Sequence, residues 1–130
     1  MYVMLAALER LFDRLYPINR QRPHTRAAAM GRYEGDVYFS GGAYYFSTLG
    51  AAEFCFMAAG AHAHGSGERD AWIARGDAFL ETVRAFTPAS GDLSEQFDQR
   101  TGEQTSAKHL AWSYAAFISC VTARRAVRPR

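Results

Sequence analysis

A carboxylate in a polar loop is the first candidate for chemistry in this sequence. Glu95 lies in an acidic, turn-rich stretch that is bounded by Gly91 and Gly102. The chain then passes directly into a helical pattern that carries Trp112. Such an arrangement is a good way to hold a carboxylate at the rim of an aromatic pocket, because binding residues are commonly loop residues positioned by rigid elements.

The element that must position this loop is the helix that follows it. Ser106 is a residue type that commonly caps the N-terminus of a helix, so we predict that it caps this one. Apolar residues then recur with the 3.6-residue period of one helical face, at Leu110, Tyr114, Phe117, Ile118 and Val121.

Two helices are predicted in the first half of the chain, with an ordered non-helical loop between them at residues 31–42. The first helix has an apolar face, with Glu9 and Arg10 on the opposite face, and it ends at Pro17. The second helix, residues 43–59, is apolar nearly all round. A helix of that kind is buried on most sides.

A further helix is predicted to begin after Ser66, which would be its N-cap, and to stop at Thr87-Pro88. Glu68 and Asp70 lie in its first turn, where carboxylates suit the helix dipole. No convincing pair of strands occurs in the sequence. The pattern therefore predicts an all-α chain of four helices arranged as two helical hairpins.

Length and composition exclude several classes of protein. The 130 residues make one domain at most. The net charge of +2 is too small to indicate a nucleic-acid partner, and no apolar run is long enough to span a membrane. The first residues faintly resemble a signal peptide, but Glu9 and Arg10 interrupt the pattern, so the compartment stays open.

The cysteines and histidines favour structural roles over metal binding or cofactor binding. Cys55 and Cys120 sit in apolar helical patterns and are predicted to be small buried hydrophobic residues. His62 and His64 lie in a glycine-rich connection without a third ligand beside them. The sequence therefore indicates no metal and no cofactor.

Several motifs occur in order in the last third of the chain: Ser94-Glu95-Gln96-Phe97-Asp98, Gly102-Glu103-Gln104, Ser106-Ala107-Lys108 and Trp112-Ser113-Tyr114-Ala115-Ala116. Together they resemble the C-terminal catalytic segment of glucoamylase-type glycoside hydrolases, the glucan 1,4-alpha-glucosidases. That family removes terminal α-1,4-linked glucose from starch-type glucans by an inverting mechanism, on an (α/α)6 barrel. The resemblance implies that residues 1–130 form a partial, C-terminal segment, about the last third of such a catalytic domain.

The resemblance also implies roles for four residues. Glu95, in the Ser-Glu-Gln motif, would be the general base, and Trp112 would contact the sugar. Arg32, in Gly31-Arg32-Tyr33, would bind sugar hydroxyls, and Tyr44 would replace a sugar-stacking Trp. The structural alternatives are a solvated loop glutamate, a surface arginine and two core aromatic residues.

The sequence departs from the family pattern at several positions. Glu34 and Gly35 stand where the family has Pro and Glu, and His109 stands where it has Asp. The Trp-Glu-Glu segment that holds the family's general acid does not occur in these residues. Asp36, Glu53 and Glu81 are carboxylates, but none lies in a recognisable acid motif.

Three interpretations follow from this missing acid. In the first, the chain supplies the general-base half of a site for an α-glucan or maltooligosaccharide and is inactive alone. In the second, it is a non-catalytic helical fragment, or a carbohydrate-binding or assembly partner. In the third, it belongs to an enzyme for another sugar. In each case the helix at 43–59 lacks neighbours, which predicts self-association through an exposed apolar face.

Overall fold

Helices make up most of the chain in the computed structural model, which describes residues 2–128. The helices within that range are α1 (Tyr2–Leu15), α2 (Pro17–Arg20), α3 (Tyr45–Gly60), α4 (Gly67–Ala85) and α5 (Ala111–Ala126). A 3₁₀ turn, Tyr38–Gly41, lies in the predicted loop between α2 and α3. The all-α prediction is confirmed, and the four predicted helices correspond to α1, α3, α4 and α5.

Helix α3 lies at the centre and packs against both α4 and α5. Its apolar composition all round explains this position, because two neighbouring helices can each cover one side of it. Gly76 of α4 permits the close approach, since a Cβ atom there would overlap the ring of Phe56. Both cysteines are free and buried between these helices, as predicted, and burial raises the pKa of each thiol to about 12.

A small antiparallel sheet corrects the expectation that no strands pair. Its strands β1 (Ala43–Tyr44), β2 (Gln96–Phe97) and β3 (Gln104–Thr105) lie in that order, and Tyr44 pairs with Gln96. Because each strand has two residues, no alternating pattern can develop in the sequence. The sheet ties the loop before α3 to the loop before α5.

Of the two N-caps predicted from the sequence, Ser66 is confirmed and Ser106 is not. The Ser66 hydroxyl accepts a hydrogen bond from the Arg69 N–H at 3.2 Å, which confirms it as the N-cap of α4. Ser106 does not cap α5, so that prediction is wrong. Helix α5 begins at Ala111 with Leu110 at the N-cap position, because residues 106–109 form turns with Ser106 in a left-handed conformation.

Helix α5 buries a different face from the one that its period predicts. Ser113 and Cys120 are its buried residues, whereas Phe117 is exposed and Ile118 is 66% exposed. Cys120 lies close to Cys55 of α3, and the Ser113 hydroxyl donates to the Ser94 carbonyl oxygen at 2.8 Å. The apolar stripe of α5 is thus left partly open on the outer side of the helix.

Helix α1 buries a charged residue that its period places on the polar face. Glu9 is buried because it pairs with Arg75 of α4 and accepts a hydrogen bond from the Ala28 N–H at 3.4 Å. Pro17 ends α1, as predicted, but it also begins the short helix α2. A proline suits the first turn of a helix because no N–H is needed there.

A buried arginine closes the C-terminal ends of two helices. At the end of α3, the Arg69 guanidinium donates to the carbonyl oxygens of Ala59 at 3.0 Å and His62 at 3.3 Å. It also donates to the carbonyl oxygen of Val127, after α5, at 3.3 Å. Two of these carbonyl groups, those of His62 and Val127, lie just beyond the helix ends, and a cation there also complements the helix dipoles.

Replacing Arg69 with methionine is expected to lower the free energy of unfolding by about 2–4 kcal/mol, because buried carbonyl oxygens would lose charged donors. Urea unfolding followed by circular dichroism, at one fixed protein concentration, measures the change. Arg84→Met on the same helix is the matched control, since that side chain is 80% exposed. Equal midpoints for the two variants would contradict the role of Arg69.

Candidate functional site

The backbone of Glu95 is held on two sides by hydrogen bonds. Its N–H donates to the Ala107 carbonyl oxygen at 2.8 Å, and its own carbonyl oxygen accepts from the Tyr45 N–H at 3.4 Å. Glu95 directly precedes β2, and its side chain is half-buried. The carboxylate therefore extends from a fixed point of the backbone and remains accessible.

The Glu95 carboxylate has one direct partner among the described side chains. The Ser106 hydroxyl donates a hydrogen bond to Glu95 Oε2. Ser106 adopts a left-handed backbone conformation, with φ +66°. Such a conformation is unfavourable for a residue other than glycine and is found disproportionately at functional sites. Ser106 is a candidate site residue that the sequence analysis missed, because serine at that spacing also fits a helix cap.

Buried polar contacts fix β2 against its neighbours. The Gln96 side chain is fully buried, and its Oε1 accepts from the Gly42 N–H at 3.1 Å. The Ser94 carbonyl oxygen accepts from the Ser113 hydroxyl of α5 at 2.8 Å. These contacts connect the Glu95 segment to both α5 and the loop at residues 31–42.

The loop at residues 31–42 carries Arg32, whose guanidinium makes a bidentate contact with one carboxylate, that of Asp36. Arg32 Nε and Nη2 donate to the Asp36 oxygens at 2.8 and 2.9 Å. The Asp36 side chain is only 3% exposed. The hydrogen bonds from Arg32 hold the pKa of Asp36 below its usual range, with help from the Tyr38 N–H. Asp36 is therefore an ionised structural partner of Arg32.

Three tyrosine rings surround the same guanidinium. Arg32 Cζ lies 4.8 Å from the ring centroid of Tyr44, 5.3 Å from that of Tyr33 and 5.6 Å from that of Tyr38. Contacts of this kind attract a cation to the faces of the rings. Arg32 is thus held in one orientation while part of its side chain stays exposed.

Tyr44 lies behind Arg32 and is fully buried. Its hydroxyl has no hydrogen-bond partner among residues 2–128. Burial, followed by the negative charge of Asp36, raises the pKa of Tyr44 to about 12, so the phenol stays neutral. In this structure Tyr44 supports Arg32 and has no open face.

Trp112 lies at the exposed start of α5 and is stacked on Phe46. The two ring centroids are 3.9 Å apart and the rings are 3° from parallel. Trp112 is nevertheless 62% exposed. The ring centroids of Phe46 and Tyr44 are 4.9 Å apart, and the Tyr44 ring contacts Arg32. A series of aromatic contacts therefore leads from Trp112 to Arg32. Phe46 is a second residue that the sequence analysis missed, because it lies in an apolar helical pattern.

The other carboxylates that the sequence singled out lie elsewhere. Glu53 accepts a hydrogen bond from the Ser119 hydroxyl at 3.0 Å, between α3 and α5. Glu81 is exposed on α4 beside Arg84. Within the described part of the chain, no group of three or more His, Cys, Asp or Glu side chains could hold a metal ion. In that same part, no helix is both long and apolar enough to cross a membrane.

Apolar surface remains open on two helices. On α1 it includes Val3, Met4 and Leu8. Between α4 and α5 lies a groove of 890 Å³ that is lined mainly by apolar side chains, including Leu80, Val83, Leu93, Tyr114 and Phe117. Each of these faces contains several apolar side chains rather than one isolated exposed residue. Apolar patches of this kind commonly mark contact surfaces.

Comparison with known proteins relates this geometry to one family. The family described as "Glycosyl hydrolases family 15" matches residues 4–122. A glucoamylase of Neurospora crassa is 32% identical, over 89% of this chain and 24% of its own length. The glucoamylase structure of Hormoconis resinae matches with a TM-score of 0.85 and 30% identity, over 96% of this chain and 27% of that one. The family 15 glucoamylase of Hypocrea jecorina matches with a TM-score of 0.80 and 28% identity, over 97% of this chain and 26% of that one.

These matches confirm the fold expectation. The matched glucoamylases have an (α/α)6 barrel, and this chain corresponds to one part of it. The chain spans about a quarter of the length of the curated relatives it matches. The helices of this chain therefore correspond to a part of such a barrel.

Proposed function

Because this chain belongs to glycosyl hydrolases family 15, we propose that it supplies the general-base part of a glucoamylase-type active site. Residues 1–130 would be a partial, C-terminal segment of the catalytic domain. The reaction is hydrolysis of terminal α-1,4-linked glucose from a starch-type glucan or maltooligosaccharide. The observation that carries the proposal is the Glu95 carboxylate, hydrogen-bonded by Ser106 and directly preceding β2, the strand that pairs with β1 at the end of the Arg32 loop.

Glu95 would act on the water that attacks the anomeric carbon. The water oxygen bonds to that carbon and the water proton passes to Glu95, while the bond to the glycosidic oxygen breaks. A second carboxyl group, outside these residues, protonates the leaving oxygen from the opposite face. Because Ser106 engages Oε2, the other oxygen of Glu95 is left for the water.

Arg32 would bind hydroxyl groups of the glucose at the point of cleavage. Its forked guanidinium offers several donors in a fixed geometry. Asp36 and the three tyrosines hold it before the sugar arrives, which reduces the ordering that binding must impose. Trp112, backed by Phe46, would present its open face to a sugar ring. Tyr44 would contribute by supporting Arg32.

The second candidate is a non-catalytic helical partner that binds carbohydrate or assembles with other chains. Two observations favour it. Arg32 engages both oxygens of Asp36, so that carboxylate is not free to act as the second carboxyl group of the reaction. The apolar faces of α1 and α5 are open, which supports association with another helical surface or with a second copy.

The product anomer tests the proposed reaction. We suggest a hybrid in which this chain replaces the matching quarter of the Hormoconis resinae glucoamylase, so that a complete barrel is present. An inverting reaction on an α-linked substrate should release β-glucose first, because water attacks opposite the leaving group. Proton NMR of the earliest product distinguishes the anomers. Initial release of α-glucose would exclude Glu95 as the base of an inverting reaction.

A further inference from the structure

A separate cavity, of about 400 Å³, is lined by charged side chains. Its lining includes Glu9 of α1, Arg75 of α4, and Arg22 and Arg26 of the segment that follows α2. None of its lining residues belongs to the candidate site around Glu95. Arginines therefore outnumber carboxylates by three to one in this lining, which favours an anion as the occupant of the cavity.

Two of the three arginines are already paired with carboxylates. Arg75 forms an ion pair with Glu9. Arg22 donates to both oxygens of Asp13, with 3.2 Å between Nη2 and Oδ2. These pairs balance their own charges, so the formal positive charge that remains among the three arginines is that of Arg26.

Arg26 has no carboxylate partner within residues 2–128. Its side chain is half-buried, and its Cζ atom lies 5.6 Å from the ring centroid of Phe86, a contact that uses none of its N–H donors. The Nε atoms of Arg26 and Arg75 are both buried without a hydrogen-bond partner in that part of the chain. Donors of charged groups are costly to leave unpaired, and a bound ion is one explanation for them.

The segment that carries Arg26 is fixed in the absence of a ligand. The Arg26 carbonyl oxygen accepts a hydrogen bond from Arg22 Nε at 3.0 Å. The next residue, Ala27, donates its N–H to the Ala78 carbonyl oxygen of α4 at 3.0 Å. Because the backbone is held in this way, little further ordering is needed when an anion binds.

We propose that this cavity binds the phosphate group of a small molecule, with Arg26 as the cationic partner of that group. A guanidinium suits phosphate because its planar fork of donors matches two phosphate oxygens at once. The volume falls within the range of small-molecule sites, so the phosphate group can carry a substituent such as a sugar. This binding goes beyond the proposed hydrolysis and uses different residues.

Isothermal titration of the 130-residue chain at low ionic strength tests the site, with inorganic phosphate and glucose 6-phosphate as the two probes. Both should bind, and Arg26→Gln should weaken each at least about tenfold, because the charged donors are lost. Arg26→Lys keeps the charge without the fork and should bind with intermediate affinity. Tighter binding of glucose 6-phosphate by the parent would support a phosphorylated sugar as the ligand, and equal affinities would support free phosphate.

Arg10→Gln is the matched control, because Arg10 is exposed on α1 and does not line the cavity. It removes the same charge and should leave both affinities close to those of the parent. Equal losses in Arg10→Gln and Arg26→Gln would overturn the site, since they would show a diffuse attraction of anions to a basic chain. Unchanged binding by Arg26→Gln would also overturn it, as would a parent that binds neither probe.

Discussion

Replacing Glu95 with glutamine should lower kcat on maltose by roughly 10²–10⁴-fold in the hybrid enzyme, the usual contribution of a general base. Glutamine has nearly the same shape and can still accept the hydrogen bond from Ser106, but it cannot take a proton from water. Substrate binding should therefore change much less than turnover. Steady-state kinetics on maltose, with substrate binding measured separately, distinguishes the two effects.

A neighbouring glutamate provides the control for this substitution. Glu103 is exposed in the same loop, and its carbonyl oxygen accepts a hydrogen bond from the Asp98 N–H at 2.7 Å. Glu103→Gln removes a carboxylate without touching the carboxylate of Glu95, so turnover should remain close to that of the parent. If Glu95→Gln also retained turnover within about threefold of the parent, Glu95 would not be the base.

The purified 130-residue chain should release no glucose from maltose, whereas the hybrid should do so. In the proposed mechanism Glu95 is one of the two carboxylates that the reaction needs, and the sugar, the acid and the water must be positioned together. The same chain should self-associate, or behave as a loosely packed helical species, because its apolar faces on α1 and α5 are open. Glucose release and light scattering are to be measured on the same sample.

Introducing charged residues on the open face of α5 tests self-association separately from the absence of activity. Phe117→Lys with Ile118→Lys should reduce self-association, since both side chains are exposed and the added charges repel each other. Glucose release should remain absent in that variant. If the unsubstituted 130-residue chain were a well-behaved monomer that liberates glucose from maltose, both parts would be contradicted, and Asp36 or Glu53 would be the acid.

The candidate site was only partly predictable from the sequence. Glu95, Arg32 and Trp112 could be singled out because the motifs around them are local and ordered along the chain. Ser106 and Phe46 could not, because a serine before a helix and a phenylalanine in an apolar pattern each have a more common structural explanation. Their roles depend on contacts between residues that are distant along the chain, such as Phe46 with Trp112.

The sequence by itself determined the four main helices, the burial of most sides of the helix predicted at residues 43–59 and the N-cap at Ser66. These features follow from local signals, namely the helical period, the apolar composition and the capping chemistry. Burial of both cysteines follows from the same apolar pattern.

Only the tertiary structure determined which face of each helix is buried and which is exposed. Glu9 is buried because it pairs with Arg75 of another helix, and Ser113 is buried against the Ser94 carbonyl oxygen while Ile118 is exposed. The period of a helix locates an apolar stripe, but the neighbours that cover it are set by packing between distant segments. The pairing of Tyr44 with Gln96 brings the Arg32 loop beside Glu95. This pairing could not be predicted either, because strands of two residues are too short to produce an alternating sequence pattern.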